Sequence, residues 1–351
     1  MSADADRDRF LEQAKWCRAF GSPFTAALMD ALAEDVATFG PTAAILADIP
    51  ELRRADAMPL RIAGALHALV LSGRDPGLAA EYPAQRRAWD MATLFPKAQA
   101  AMEREPVWFA DFLKHPPQTN ETRRTIALLP AFAAAAAGGG PLHMLEIGAS
   151  AGLNLSWSQF AYRTREWAWG RVAEDRPMVD AEWRGPPPNL RLSLDVRSRL
   201  ACDQNPLDVR DPAQVLRLKS YIWPDQRDRI DRFDRAVALA IKEDIHVDRA
   251  DAGVWLTSRL IGRLPEGVSI LYHSIAWQYF AQSTKDALAA VIERTAGIAE
   301  PTRRFAWVRF EHDRLLGYPE DGYSVDVVVW PGGERRRIAR TDPHARWVEI
   351  I

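Results

Sequence analysis

The sequence predicts an α/β layer fold in which an all-helical N-terminal lobe precedes a mixed sheet of about seven strands. From Arg9 to Ala137 the apolar residues recur at helical spacing, as in "FLEQAKWCRAF" and "LRIAGALHALVL", and almost nothing alternates like a strand. After Pro141 the texture changes to short apolar runs separated by helical stretches: "LHMLEI", "RSRLAC", "EDIHVD", "VSILYH", "RRFAWVRF", "YSVDVVVW" and "ARWVEI". The last three runs lack intervening helices, so a parallel core is expected to finish in antiparallel strands.

Each element has a local reason. Gly21-Ser22-Pro23, Gly40-Pro41 and the stretch from Gly73 to Gly77 break the helical lobe. It ends in "IALLPAFAAAAAGGGP", where alanine favours helix and three glycines before Pro141 stop it. The boundary therefore falls after 137, giving a lobe over 1–137 and an α/β domain over 138–351. Within the latter, an aromatic insertion over 158–189, with "FAYRTREWAWGR" and "EWRGPPPN", reads as hairpin and loop. The arginines of "GGERRRIAR" are expected either to alternate along a hairpin strand with one side facing solvent or to form an anion-binding patch.

Composition narrows the function classes. The 351 residues exceed one ordinary domain, and the formal net charge of −2 comes from interspersed acids and bases. That balance offers no track for a nucleic-acid backbone and no field toward an anionic membrane, which disfavours both partners. The start, "MSADADRDRF", lacks the layout of a signal peptide, and no apolar run spans a bilayer, so a cytoplasmic protein is expected. Cys17 and Cys202 lie far apart without C-x-x-C spacing, which argues against a disulfide framework and a zinc site.

The most informative stretch is "LHMLEIGASAGLNLSW", an apolar run, a small-residue loop and the opening of a helix. Gly148-Ala149-Ser150-Ala151-Gly152 matches the G-x-S-x-G pattern of a nucleophile elbow, in which Ser150 would be the nucleophile. An α/β-hydrolase elbow follows a central strand well into its sheet, whereas this loop follows the first strand. The other reading is a cofactor cradle, in which small residues let backbone N–H groups approach a ligand and Ser150 is a spacer. Glu146-Ile147-Gly148 resembles the start of the class I S-adenosylmethionine (SAM) methyltransferase signature, acid, apolar residue, then G-x-G-x-G. Only the middle glycine departs from it, and certain ribose-directed RNA methyltransferases carry a similar G-A-S-x-G loop. A structural strand-to-helix turn with no ligand is the third reading.

That resemblance implies further residues. An acid ending the second strand would accept the ribose hydroxyls, and Asp203 in "RSRLACDQNPLDV" has that context, arriving about 50 residues after Gly152 against roughly 20 in a compact unit. The excess matches the aromatic insertion. A turn-forming acid before Pro206 is the competing reading. Asp251, in "IHVDRADAGVWL", stands where a carboxylate would meet the adenine amino group, and equally where it would cap a helix. Beyond the fourth strand, "ILYHSIAWQYF" clusters His273, Ser274, Trp277 and Gln278, with His273 as candidate base or as a histidine bonded to backbone and packed by Trp277. In "KHPPQTNETRR", Gln118, Thr119 and Asn120 form either a helix cap or a polar wall over the cofactor.

Seven strings in order, "QTNETRR", "LEIGASAGLNLSW", "CDQNPLDVRDP", "YIWPDQRDRI", "LYHSIAWQYF", "WPGGE" and "DPHARWVEI", resemble the bacterial family named for domain of unknown function 2332. That family supplies no activity to carry over. The broader likeness to class I methyltransferases, over Gln118 to Ile351, implies a Rossmann-like, methyltransferase-type core. On that likeness Glu146, Gly148, Ala149, Ser150, Gly152, Asp203, Asp251 and Asn120 would surround SAM, and His273 would serve catalysis. The helical lobe and the insertion would enclose a small-molecule acceptor. Two alternatives stay open: a serine hydrolase using Ser150 with Asp251 and His273 or His344, and a methyltransferase-shaped binding protein without chemistry.

Overall fold

The computed structural model describes residues 3–49, 57–83, 88–190 and 194–351. It is a mixed α/β structure with a helical N-terminal region and a large mixed sheet of nine strands, two more than the apolar runs announce. Two compact units divide it: Met1–Thr119 with Asp211–Asp231, and Asn120–Arg210 with Arg232–Ile351. The division lies at 119/120, where the sequence reading has it after 137. The helix Arg124–Ala136 carries apolar residues on nearly every side and packs on the strands of the second unit, so the alanine-rich run belongs to the sheet rather than to the lobe.

The first unit is helical because its breakers are placed where the chain turns. Ser22 caps the helix Pro23–Ala37 by accepting the Thr25 N–H at 3.2 Å, and prolines open the helices Pro41–Asp48, Pro76–Ala79 and Pro106–Leu113. Phe10, Phe24, Leu32, Leu66 and Phe109 form its core. The "YIWPDQ" string belongs here: Asp225 accepts the Ser22 hydroxyl at 2.5 Å and the Phe24 N–H at 3.0 Å, which ties this distant segment to the start of that helix.

In the second unit the strands are β1 (Leu142–Ile147), β2 (Ala161–Arg163), β3 (Ala168–Trp169), β4 (Met178–Asp180), β5 (Glu182–Arg184), β6 (Val196–Asp203), β7 (Asp248–Arg249), β8 (Gly267–Ser274), β9 (Arg303–His312), β10 (Tyr323–Trp330), β11 (Arg335–Thr341) and β12 (Trp347–Ile350). The large sheet runs β5-β12-β11-β10-β9-β8-β1-β6-β7. β7, β6, β1, β8 and β9 are mutually parallel, and β10, β11 and β12 then alternate in direction. The parallel core does end antiparallel. Of "EDIHVD" only Asp248 is strand, because the preceding residues form a turn and an irregular segment. The insertion forms a second sheet, β3-β2-β4, around Trp157, Tyr162 and Trp169, while β5 leaves it to pair with β12.

The two faces of the sheet have different contents. Leu145, Ile147, Leu271 and Phe305 join a core with Trp255, Leu256, Leu288 and Val291 from the helices Ala252–Arg259 and Gln282–Gly297. Tyr272 meets Phe132 of the helix Arg124–Ala136 at 5.1 Å between ring centroids. Fully burying side chains of this size contributes about 1.5 to 3 kcal/mol each, which is what fixes the strand register. Among the described residues no helix is long and apolar enough to cross a membrane.

Candidate functional site

The site sits where the sheet order reverses. β1 lies between β6 and β8, so the chain leaves β1 toward one side and later returns on the other, and the carboxyl ends of these strands form the switch point at which open α/β sheets bind ligands. The loop from Gly148 to Gly152 crosses this point, with Gly148, Ser150 and Gly152 at φ of +68°, +55° and +71°. A side chain is excluded at both glycines. A Cβ on Gly148 would lie 2.6 Å from Cβ of Ala276, and one on Gly152 would lie 2.8 Å from Val247 and 2.9 Å from Ile245. The glycines are thus required first by this chain's own packing.

Three acidic side chains surround this switch point. The Ser150 N–H donates to Oδ2 of Asp203 at 2.8 Å, and Oδ1 of the same side chain accepts the Asn205 N–H at 2.8 Å. The turn-forming role and the bond to the loop therefore coexist. Asp251 caps the helix Ala252–Arg259 through the Gly253 and Val254 N–H groups at 2.9 and 3.2 Å, and its other oxygen accepts from Thr284 and from Gln204 at 3.5 Å. Burial works against its ionisation, but the bonds from Thr284, Val254 and Gly253 outweigh it and hold the carboxyl below the usual range. Glu146, near the end of β1, is 2 % exposed and accepts the Tyr272 hydroxyl at 3.0 Å. Burial pushes its pKa up to about 8, against the opposing bonds from Tyr272 and Asn154.

Asn120 does not cap the helix Arg124–Ala136 that follows it in the chain. Its Oδ1 accepts the Leu153 N–H at 2.8 Å, which pins the end of the glycine loop, and the helix expected from "GLNLSW" is a short 3-10 helix, Leu153–Gln159. Gln118 and Thr119 fall in the other unit. Glu146, Gly148, Ala149, Ser150, Gly152, Asp203 and Asn120 are brought together around one loop, and Asp251 joins them through Gln204.

His273 is bonded to a carboxylate rather than to backbone. Its Nδ1 lies 2.7 Å from Oε1 of Glu311, and its ring stacks on Trp277 at 5.3 Å between centroids. The same Glu311 oxygen accepts the Ala276 and Trp277 N–H groups at 2.9 and 3.1 Å, holding the turn after β8. Ile275 begins that turn at φ +52°, a strained conformation for a β-branched residue. The Ser150 hydroxyl is not bonded to His273, whose Nε2 has no hydrogen-bond partner, and Asp251 faces Thr284 and Gln204 instead of a histidine. The Ser150, Asp251, His273 relay is therefore not assembled, and His344 stands 3.6 Å from Glu121.

A bacterial protein family described as "Uncharacterized protein conserved in bacteria", DUF2332, matches residues 7–350. The chain belongs to this family. No curated protein and no solved structure matches it. For this DUF2332 chain the site rests on its own geometry, and several contributors escape sequence reading. Tyr272 is the register partner of Glu146 across parallel strands, a pairing that only the strand order reveals. Glu311 had one available signal, an acid ending the apolar run "FAWVRF". Asn154 and Ile275 carry none.

Proposed function

We propose that the protein binds SAM at the carboxyl ends of β1, β6 and β7, within a Rossmann-like, methyltransferase-type core, and transfers the methyl group to a small-molecule acceptor. Numbered along the chain, the five parallel strands take the order 3-2-1-4-5, the arrangement whose reversal point receives nucleotide-like ligands. The observation that carries the reading is the bond from Ser150 to Asp203, which places the acid ending the second of these strands against the glycine loop ending the first. A carboxylate has about four acceptor positions, so after Ser150 and Asn205 about two remain on Asp203 for ribose hydroxyls. SAM supplies an electrophilic methyl on a sulfonium. The protein orients it: the loop holds backbone groups close, Asn120 fixes the loop's far end, and Glu146 ties the strand leading into the loop to Tyr272 of β8. Asp251 is engaged as a helix cap, so its contribution is to hold Gln204 and the strand end rather than to accept from adenine directly.

The test is thermal unfolding of the full chain with SAM or its demethylated product. A ligand at 100 times its Kd stabilises by about 2.7 kcal/mol, a readily measured rise in Tm. Unchanged Tm with both compounds overturns the proposal. The hydrolase reading keeps one observation in its favour, the left-handed φ of Ser150, and labelling of that residue by a fluorophosphonate would establish it.

A further inference from the structure

The cluster at the end of β8 and β9 holds buried polar atoms that the fold leaves without partners. His273 is 0 % exposed and Glu311 is 1 % exposed. Nε2 of His273, Oε2 of Glu311 and Nε1 of Trp307 are all buried without a hydrogen bond. The rings of His273, Trp277 and Trp307 lie 5.3 to 6.1 Å apart. A buried polar group normally finds a partner, and three unsatisfied ones in one ring cluster, two acceptors and one donor, mark a place where a polar molecule is received. The packing of the turn links it to the glycine loop, since Ala276, whose N–H is held by Glu311, is also the residue against which Gly148 packs.

We propose that His273, held by Glu311 with its proton on Nδ1, is the proton acceptor for the nucleophilic O–H or N–H of the substrate, taking that proton at Nε2. Glu311 is a positioning residue: Oε1 accepts from Nδ1, which in a neutral imidazole leaves the lone pair on Nε2. The assignment rests on the methyl-transfer reading only for the fate of the nucleophile. There, the O–H or N–H pair becomes the new bond to carbon, the proton passes to Nε2, and the pair of the broken carbon–sulfur bond stays on sulfur. The resulting imidazolium faces the Glu311 carboxylate. The aromatic walls suit an uncharged, ring-sized acceptor. Trp277, half-buried and stacked on the imidazole, covers one face of it and must shift to admit that molecule.

Two measurements on the full-length chain test this. Long-range proton–nitrogen NMR of histidine-labelled protein is expected to show Nδ1 protonated and Nε2 bare. Diethyl pyrocarbonate, a small electrophile that modifies unprotonated imidazole nitrogen, is expected to carbethoxylate His273, at least tenfold faster in Trp277→Ala. Glu311→Gln, which keeps the size and one acceptor, is expected to weaken the tautomer preference and slow labelling about fivefold while circular dichroism stays unchanged. A proton on Nε2, or a His273 inert in both wild type and Trp277→Ala, or labelling indifferent to Glu311→Gln, overturns the assignment. SAM binding measured on the same samples separates the two readings. A chain that labels as expected but binds no SAM keeps His273 as proton acceptor and loses methyl as the group transferred.

Discussion

Tyr272 and Glu146 are direct partners across the parallel strands β8 and β1, and the tyrosine hydroxyl donates to the buried carboxylate at 3.0 Å. A carboxyl in that position prefers its proton, with a pKa pushed up to about 8 chiefly by burial. Its unfolded counterpart ionises near the ordinary value of 4.5, so between those limits the folded chain binds more protons than the unfolded one. The stability that Glu146 contributes is therefore complete below about 4.5 and is lost as pH rises toward about 8. Glu146→Gln should abolish that decline and exceed the wild type at pH 8 by a few kcal/mol, read from urea unfolding across the range. A wild-type chain whose stability does not fall over this interval contradicts the assignment.

Asp225 should behave as a second cap on the helix Pro23–Ala37, because its two oxygens take the Ser22 hydroxyl and the Phe24 N–H. Replacing it by alanine removes both bonds, and a loss of about 1 to 2 kcal/mol is expected from cap deletions of this kind. Amide exchange at the start of that helix is the readout. Protection as high in Asp225→Ala as in the wild type would show the contact to be idle.

The legible and illegible parts of this protein divide along a physical line. Local signals reached the sequence surface: proline and glycine breaks gave the helix starts, and apolar runs gave β1, β6, β8, β9, β10 and β12. The domain boundary misled, because alanine propensity says helix without saying what the helix packs against, and Arg124–Ala136 packs on the sheet. "EDIHVD" misled because Ile245 and Val247, an alternating apolar pair, lie in an irregular segment between the turn at Glu243-Asp244 and the strand at Asp248. At the site, the loop and Asp203 could be named from type and spacing, but their bond spans 53 positions and only the strand order creates it. "YIWPDQ" and "DPHARW" act through long-range and turn contacts that spacing along the chain does not reveal. Asp342, for instance, accepts the N–H groups of His344 and Arg346 at 2.9 and 3.1 Å and so closes the turn before β12.

Ser150 separates the cofactor loop from the nucleophile elbow. Its N–H bonds to Asp203 and its backbone is left-handed, two features that glycine supplies at least as well. Ser150→Gly is expected to fold, to retain SAM binding within about threefold, and to leave fluorophosphonate labelling at the wild-type background. That threefold is under about 1.4 kcal/mol, well below the loss of a charge-assisted bond. Labelling present in the wild type and absent in the glycine variant would instead assign the residue a nucleophilic role.

Asp203 is bonded to the loop from Gly148 to Gly152, and calorimetric titration of the full chain with SAM tests most directly whether the two form one binding surface. Saturable heat is predicted for the wild type, with affinity reduced tenfold or more in Asp203→Ala, since each charge-assisted bond it makes contributes about 1.5 to 3 kcal/mol. No heat with the wild type, or equal affinity in wild type and Asp203→Ala, would contradict a single binding surface.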